Sequence, residues 1–128
     1  MPSSLRVGLI GAGPWAHIAH ARAIATHPET AFAGVWARRP EAAAQLADKY
    51  AATAFATVED LLGASDAVVF SIPPDVQEGL ALQAAAAGKA LLLEKPIAGS
   101  LAGAERLAEA AAGVPTLVAL RWRFAPAV

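Results

Sequence analysis

Two glycines one residue apart carry the clearest chemical signal in this 128-residue chain. Gly11-Ala12-Gly13-Pro14-Trp15-Ala16 has the form G-x-G-x-x-A. Gly11 permits a tight turn, and Gly13 has no side chain to keep a pyrophosphate away from the backbone. Ala16 is small enough for a helix to pack close to the strand before it. A helix that begins there offers unpaired amides and the positive end of its dipole to phosphate. The pattern predicts a dinucleotide held at Gly11, Ala12, Gly13, Pro14 and Trp15, with Trp15 either covering the cofactor or simply packing. A second position bears on which dinucleotide. At the end of the second strand-like run, an Asp or Glu would hold the ribose 2′-hydroxyl of NAD. This chain has Ala37-Arg38-Arg39-Pro40 there, and the nearest acid, Glu41, already belongs to the next helix. The guanidinium groups of Arg38 and Arg39 suit a 2′-phosphate. The expected cofactor is therefore NADP, with NAD the alternative.

Other chemistries are thinly represented. There is no cysteine, which removes disulfides, thiolate metal sites and thiol catalysis. His17 and His20 are spaced to share a helix face, but no third ligand or acid stands near them in sequence, so packing or surface roles and no metal are expected. Net charge is -1, which gives no field for nucleic acid or an anionic membrane. Only 16% of residues are charged and mean hydropathy is +0.45, arguing against disorder. The apolar share of 56% is inflated by 35 alanines, which favour helices more than a bulky core. No run approaches the roughly 20 apolar residues of a membrane span. Met1–Ser4 lead straight into a strand-like segment with no signal-peptide pattern, so a cytoplasmic location is expected.

These motifs need elements to place them, and the chain supplies an alternation. Leu5–Ile10, Phe32–Ala37, Ala54–Ala56, Ala67–Ser71, Ala90–Glu94 and Thr116–Trp122 read as strands, several of them apolar on both faces. Helices are predicted from Pro14 to His27, with Ile18, Ala21, Arg22 and Ala25 as an inner stripe, and from Pro40 to Tyr50, with Ala43, Leu46 and Ala47 inward. A short helix follows Thr57, whose side chain caps it. Longer ones run from Pro73 to Ala87, with Gly88 as a stop, and from Ser100 to Ala112. Alternation of buried strands and amphipathic helices means an α/β, doubly wound parallel sheet of about six strands with helices on both faces.

Taken together, the residues resemble the N-terminal Rossmann domain of the Gfo/Idh/MocA oxidoreductases. The resemblance rests on the glycine turn, on Ser71-Ile72-Pro73-Pro74 after the fourth strand, and on Ala87-Gly88-Lys89 followed by Glu94-Lys95-Pro96 after the fifth. Arg121-Trp122-Arg123-Phe124-Ala125-Pro126 looks like the family's entry into a second domain. The Glu-Lys-Pro triplet is the most specific element. The resemblance implies hydride transfer between a nicotinamide and a sugar, cyclitol or related polyol derivative. It places Lys95 beside the nicotinamide, where an ammonium steadies the alkoxide-like oxygen of the reacting group. Glu94 would hold Lys95 in place, Pro96 would fix the turn, and Ser71, Ile72 and Pro73 would line the adenosine–nicotinamide side of the crevice.

The chain also departs from the family. Gln77 stands where a histidine is common after the proline pair, and Ala90 where one often follows Gly-Lys. Neither position is expected to be catalytic. Family members carry a second domain that supplies a catalytic histidine and most of the substrate pocket. Residues 1–122 are thus expected to be the dinucleotide domain, and 123–128 the start of the connection. Alone the piece should be inactive, and the face around Trp122, Phe124 and Trp15 would invite self-association into a homo-oligomer. The alternative is a non-catalytic nucleotide-binding or interaction module.

Overall fold

Short apolar strands with helical crossovers between them pair most simply side by side and in the same direction. In the computed structural model, which describes residues 4–127, they do so. The strands are β1 (Leu5–Ile10), β2 (Thr30–Trp36), β3 (Thr53–Ala54), β4 (Ala67–Phe70), β5 (Ala90–Leu93) and β6 (Thr116–Val118). They form one parallel sheet in the order β3-β2-β1-β4-β5-β6. The chain first builds outward from β1 to β3, then crosses back and builds outward again from β4. The carboxyl ends of β1 and β4 therefore part at a switch point, where a crevice opens. Met1, Pro2, Ser3 and Val128, at the limits of the two expected segments, lie outside the described residues.

Side chains alternate between the two faces, as the two-residue period of a strand requires. Ile10, Val68, Phe70, Leu91 and Leu93 point to one face, against α3 (Val58–Gly63), α4 (Pro74–Ala86) and α5 (Leu101–Ala111). Leu9, Val35 and Val69 point to the other, against α1 (Ala21–Thr26), α2 (Pro40–Asp48) and the turn before α1. Two predicted caps form: Thr57 Oγ1 accepts from Asp60 N–H at 3.1 Å, and Ser100 Oγ from Gly103 N–H at 3.0 Å. Among the described residues no helix is long and apolar enough to cross a membrane.

β3 starts one residue earlier than expected and is shorter, and two elements differ more substantially. The first helix is not regular: Ala16–His20 is a π-helical turn, closed by a bond from Ala21 N–H to Ala16 O, which leads into α1. The wider turn changes the helical phase. The inner residues become Ala16, Ala21 and Ile24, while Ile18 is 66% exposed and Arg22 and Ala25 face solvent. The last strand is shorter than predicted. It ends at Val118, where Leu120 N–H turns back to Val118 O at 2.8 Å, and Arg121–Phe124 form a 3-10 turn. Ala119 N–H still donates to Leu93 O of β5 at 2.8 Å, but β6 is the sheet's edge among the described residues, with no strand on its other side to hold Leu120–Trp122 extended.

Candidate dinucleotide site

Gly11 ends β1 at the switch point. Its N–H donates to Trp36 O at 2.8 Å, and Ser71 N–H donates to Ile10 O at 2.8 Å. The ends of β2, β1 and β4 are thereby drawn together. Gly11 has φ +118°, and a Cβ on it would run into the Ser71 carbonyl. The turn thus requires glycine for conformation and for space. Gly13 is different. It is exposed, and a Cβ there would meet no atom within 4 Å, so its bare backbone faces open space. Pro14 has no N–H, and the amides of Trp15 and Ala16 find no backbone acceptor. A backbone cradle left open in front of a helix start fits a pyrophosphate.

Beyond the turn lies a cleft of about 1000 Å³. Gly13, Pro14 and Trp15 line one side, Ser71, Ile72 and Pro73 the floor, and Glu94 and Lys95 the far side. Gly11 and Ala12 stand behind this wall, and Pro96 is exposed just outside it. The Lys95–Pro96 bond is cis. Leu120, Arg121 and Trp122 close the rim, with the Arg121 guanidinium 5.4 Å from the Trp122 ring centre. Arg38 and Arg39 lie outside the cleft, exposed beyond the end of β2. Arg39 Nε reaches Glu41 Oε1 at 3.2 Å. Bonding to its own backbone amide, and then to Arg39, lowers the Glu41 carboxyl below its ordinary range. The pair is solvent-exposed, so Arg39 remains available to another anion.

The Glu94–Lys95 segment departs from expectation in one respect. The Glu94 carboxylate does not pair with the Lys95 ammonium. Its Oε2 accepts from the Lys95 backbone N–H at 2.9 Å. A two-carbon stem folds back readily onto the next peptide, and the lysine side chain is left to the cleft.

Sequence reasoning missed two neighbours. Gln77, on α4, is fully buried; its Nε2 donates to Glu94 O at 2.9 Å and Ile97 O at 3.0 Å, and its Oε1 accepts from Glu94 N–H at 2.9 Å. The one available signal was the replacement of the family's customary histidine. His20 is the other, and it corrects the expectation that no acid stands near the histidines. Its Nε2 lies 3.8 Å from Glu94 Oε1, buried and without a hydrogen-bond partner, and its ring meets Trp15 edge-on at 6.3 Å. Burial lowers the His20 pKa, while Glu94 partly offsets the shift. His17 is apart from this group, with Nδ1 3.0 Å from Lys49 Nζ. Among the described residues no three His, Cys, Asp or Glu side chains converge on a metal position.

Known proteins share this fold. Residues 5–120 match the profile of the GFO_IDH_MocA family, described as an oxidoreductase family with an NAD-binding Rossmann fold. The chain is 33% identical over 96 residues to glucose-6-phosphate 3-dehydrogenase of Bacillus subtilis (strain 168), covering 75% of this chain and 27% of that protein. Among solved structures, UDP-N-acetylglucosamine 3-dehydrogenase from Acidithiobacillus ferrooxidans matches 91% of this chain and 38% of its own, with a TM-score of 0.84 at 29% identity. A 3-ketoreductase from Actinomadura kijaniata in complex with NADP matches 97% and 41%, with a TM-score of 0.88 at 26% identity. The chain thus spans about a quarter to two-fifths of the length of these relatives. With the glycine turn, the switch-point cleft and the Glu94-Lys95-Pro96 triplet in place, the chain belongs to the Gfo/Idh/MocA oxidoreductases, as their nicotinamide-nucleotide-binding Rossmann domain.

Proposed function

We propose that this chain is the NADP(H)-holding part of a longer oxidoreductase that interconverts a hydroxyl and a carbonyl on a sugar, cyclitol or related polyol derivative. One observation carries the reading: Lys95 shares a cleft with the bare backbone of Gly13 and with Ser71–Pro73. The nicotinamide supplies or accepts the hydride. Gly13 and the amides of Trp15 and Ala16 bind the pyrophosphate. Arg38 and Arg39 take the 2′-phosphate, since the carboxylate that would repel it is absent from the end of β2. Lys95 presents its ammonium to the substrate oxygen, whose negative charge grows as hydride arrives at its carbon and falls as hydride leaves. Glu94, bonded to the Lys95 amide, fixes the peptide from which that ammonium extends. The sugar-acting relatives support the substrate class, and a second domain, such as those relatives have room for, would complete the substrate pocket.

Titration of the chain with NADPH and with NADH, followed by cofactor fluorescence, tests the reading. NADPH should bind the tighter. Replacing both Arg38 and Arg39 by alanine should weaken NADPH by about tenfold or more, with NADH nearly unaffected. Failure of both nucleotides to bind at millimolar concentration overturns the reading, and equal affinities overturn its NADP part. In the longer protein, Lys95→Ala should lower kcat strongly and leave cofactor affinity nearly intact.

A further inference from the structure

Two polar side chains are fully buried in the described fold, and they behave differently. Ser65 bonds locally, its hydroxyl donating to Leu61 O four residues earlier. Gln77 bonds to backbone 17 and 20 residues away, in a segment that is neither helix nor strand. The reason lies in how the sheet ends. β4 pairs with β5 as far as Val69 opposite Leu92, and after Phe70 the chain turns away into α4. Glu94 leaves β5 with a backbone N–H and C=O facing a side from which the neighbouring strand has gone. Both groups need partners, because unpaired buried backbone polar groups are costly. The Gln77 amide supplies both, its carbonyl accepting from Glu94 N–H and its NH₂ donating to Glu94 O. A side-chain amide here takes the place of a strand's peptide group. Its second N–H bonds Ile97 O and closes the loop from the far side.

We propose that Gln77 is the positioning residue of this site. It extends the sheet by one residue beyond β4, and so determines where the peptide bearing Lys95 stands and how its ammonium enters the cleft. The proposal rests on the reading of Lys95 as the lysine that meets cofactor and substrate. Gln77 does not itself line the cleft. The three bonds require a donor-and-acceptor head on a stem of this length. A thioether offers no donor, and a carboxylate offers none unless it is protonated.

The chain holds three lysines, Lys49, Lys89 and Lys95, so reductive methylation of each can be followed by peptide mass with the other two as internal controls. In the wild-type chain NADPH should slow methylation of Lys95 and leave Lys49 and Lys89 unchanged. In Gln77→Met, which keeps the volume, that protection should drop by about fivefold or more. The Glu94 amide should also exchange hydrogen at least about tenfold faster, beyond any change at the Val68 and Val69 amides of β4. Gln77→Glu, which keeps the acceptor and regains a donor when protonated, should fall between the two and serves if the Met variant does not fold. If Glu94 exchange rises only as much as that of β4, and Lys95 protection is retained, Gln77 merely fills the core and the proposal is overturned. If NADPH never protects Lys95 in the wild-type chain, the cofactor reading fails, and Glu94 exchange alone then decides for or against Gln77.

Discussion

The two faces of the sheet are built from the same alternating strands but are unequally covered. On one face three helices pack over Ile10, Val68, Phe70 and Leu93, and Leu93 is 2% exposed. On the other, the buried cluster draws on helical residues only at Ala16–Ile24 and Ala43–Ala47. Beyond β4 that face thins out. Leu92 and Leu117, paired in register on β5 and β6, are left partly open, and Leu117 is 39% exposed. An apolar hollow of about 440 Å³ lies along this face, between Ala23 and Ile24 on the helix side and Leu92, Thr116 and Leu117 on the strands. A period of two assigns each side chain to a face but says nothing about what covers that face. The cleft stands where the less covered side meets the strand ends, with Leu92 and Leu117 of that side among its lining.

The largest effect should come from removing bulk on the completed face. Phe70→Ala, at a fully buried ring, should lower unfolding free energy by about 3–5 kcal/mol in urea titrations, whereas Leu117→Ala should stay within about 0.5 kcal/mol. Equal losses would break the contrast. At the strand ends, Gly11→Ala should destabilise the fold through its clash with the Ser71 carbonyl. Gly13→Ala should leave the fold intact and weaken NADPH by about tenfold, equivalent to ~1.4 kcal/mol. A Gly13 variant with unchanged affinity would remove the pyrophosphate from that turn. The open face should also make the chain self-associate at high concentration through Leu117, Leu120, Trp122 and Phe124. Leu117→Lys should then shift sedimentation toward monomer, and a wild-type chain already monomeric would contradict this.

The smallest effect belongs to the starts of the two central strands, β1 and β4, which both faces share. Asp66, at the start of β4, accepts from the Arg6 side chain at 2.8 Å and from the Arg6 N–H at 2.9 Å, and these bonds hold its carboxyl down to about 2. A depressed carboxyl stabilises the fold above its ordinary value of 3.8 and loses that contribution as pH falls toward 2. The urea midpoint should therefore slip slightly across that window, less so at high salt, and Asp66→Asn should abolish the slip.

Much of this was legible in the sequence because the deciding residues act locally. The apolar runs, Thr57 and Ser100 as caps, and the glycine turn all follow from the residues themselves. The features that escaped depend on contacts across the fold. Gln77 acquires its role only because β4 turns away one residue before Glu94 does. His20 meets Glu94 only once β5 lies two strands from β1, with the first helix above. The end of β6 depends on having no strand beside it. The π-turn shifts the buried positions to Ala16, Ala21 and Ile24, of which the predicted stripe of Ile18, Ala21, Arg22 and Ala25 held only Ala21.

That π-turn makes the first helix one residue longer than its length in space requires. A single deletion between Ala16 and His20 would let the backbone close an ordinary i→i+4 bond, so the helix would survive the loss. Register would survive it too. Ala16 and Ala21, both turned inward across five residues, would then stand four apart, which in an α-helix is again one face. The glycine turn would keep its place on β1, and Ala21 and Ile24 would stay against the sheet. In this segment chain length is therefore as loosely constrained as residue identity at exposed Ile18: a one-codon deletion there should leave the fold and NADPH affinity nearly intact, whereas the same deletion within α1, which has no residue to spare, should turn Ile24 out of the core.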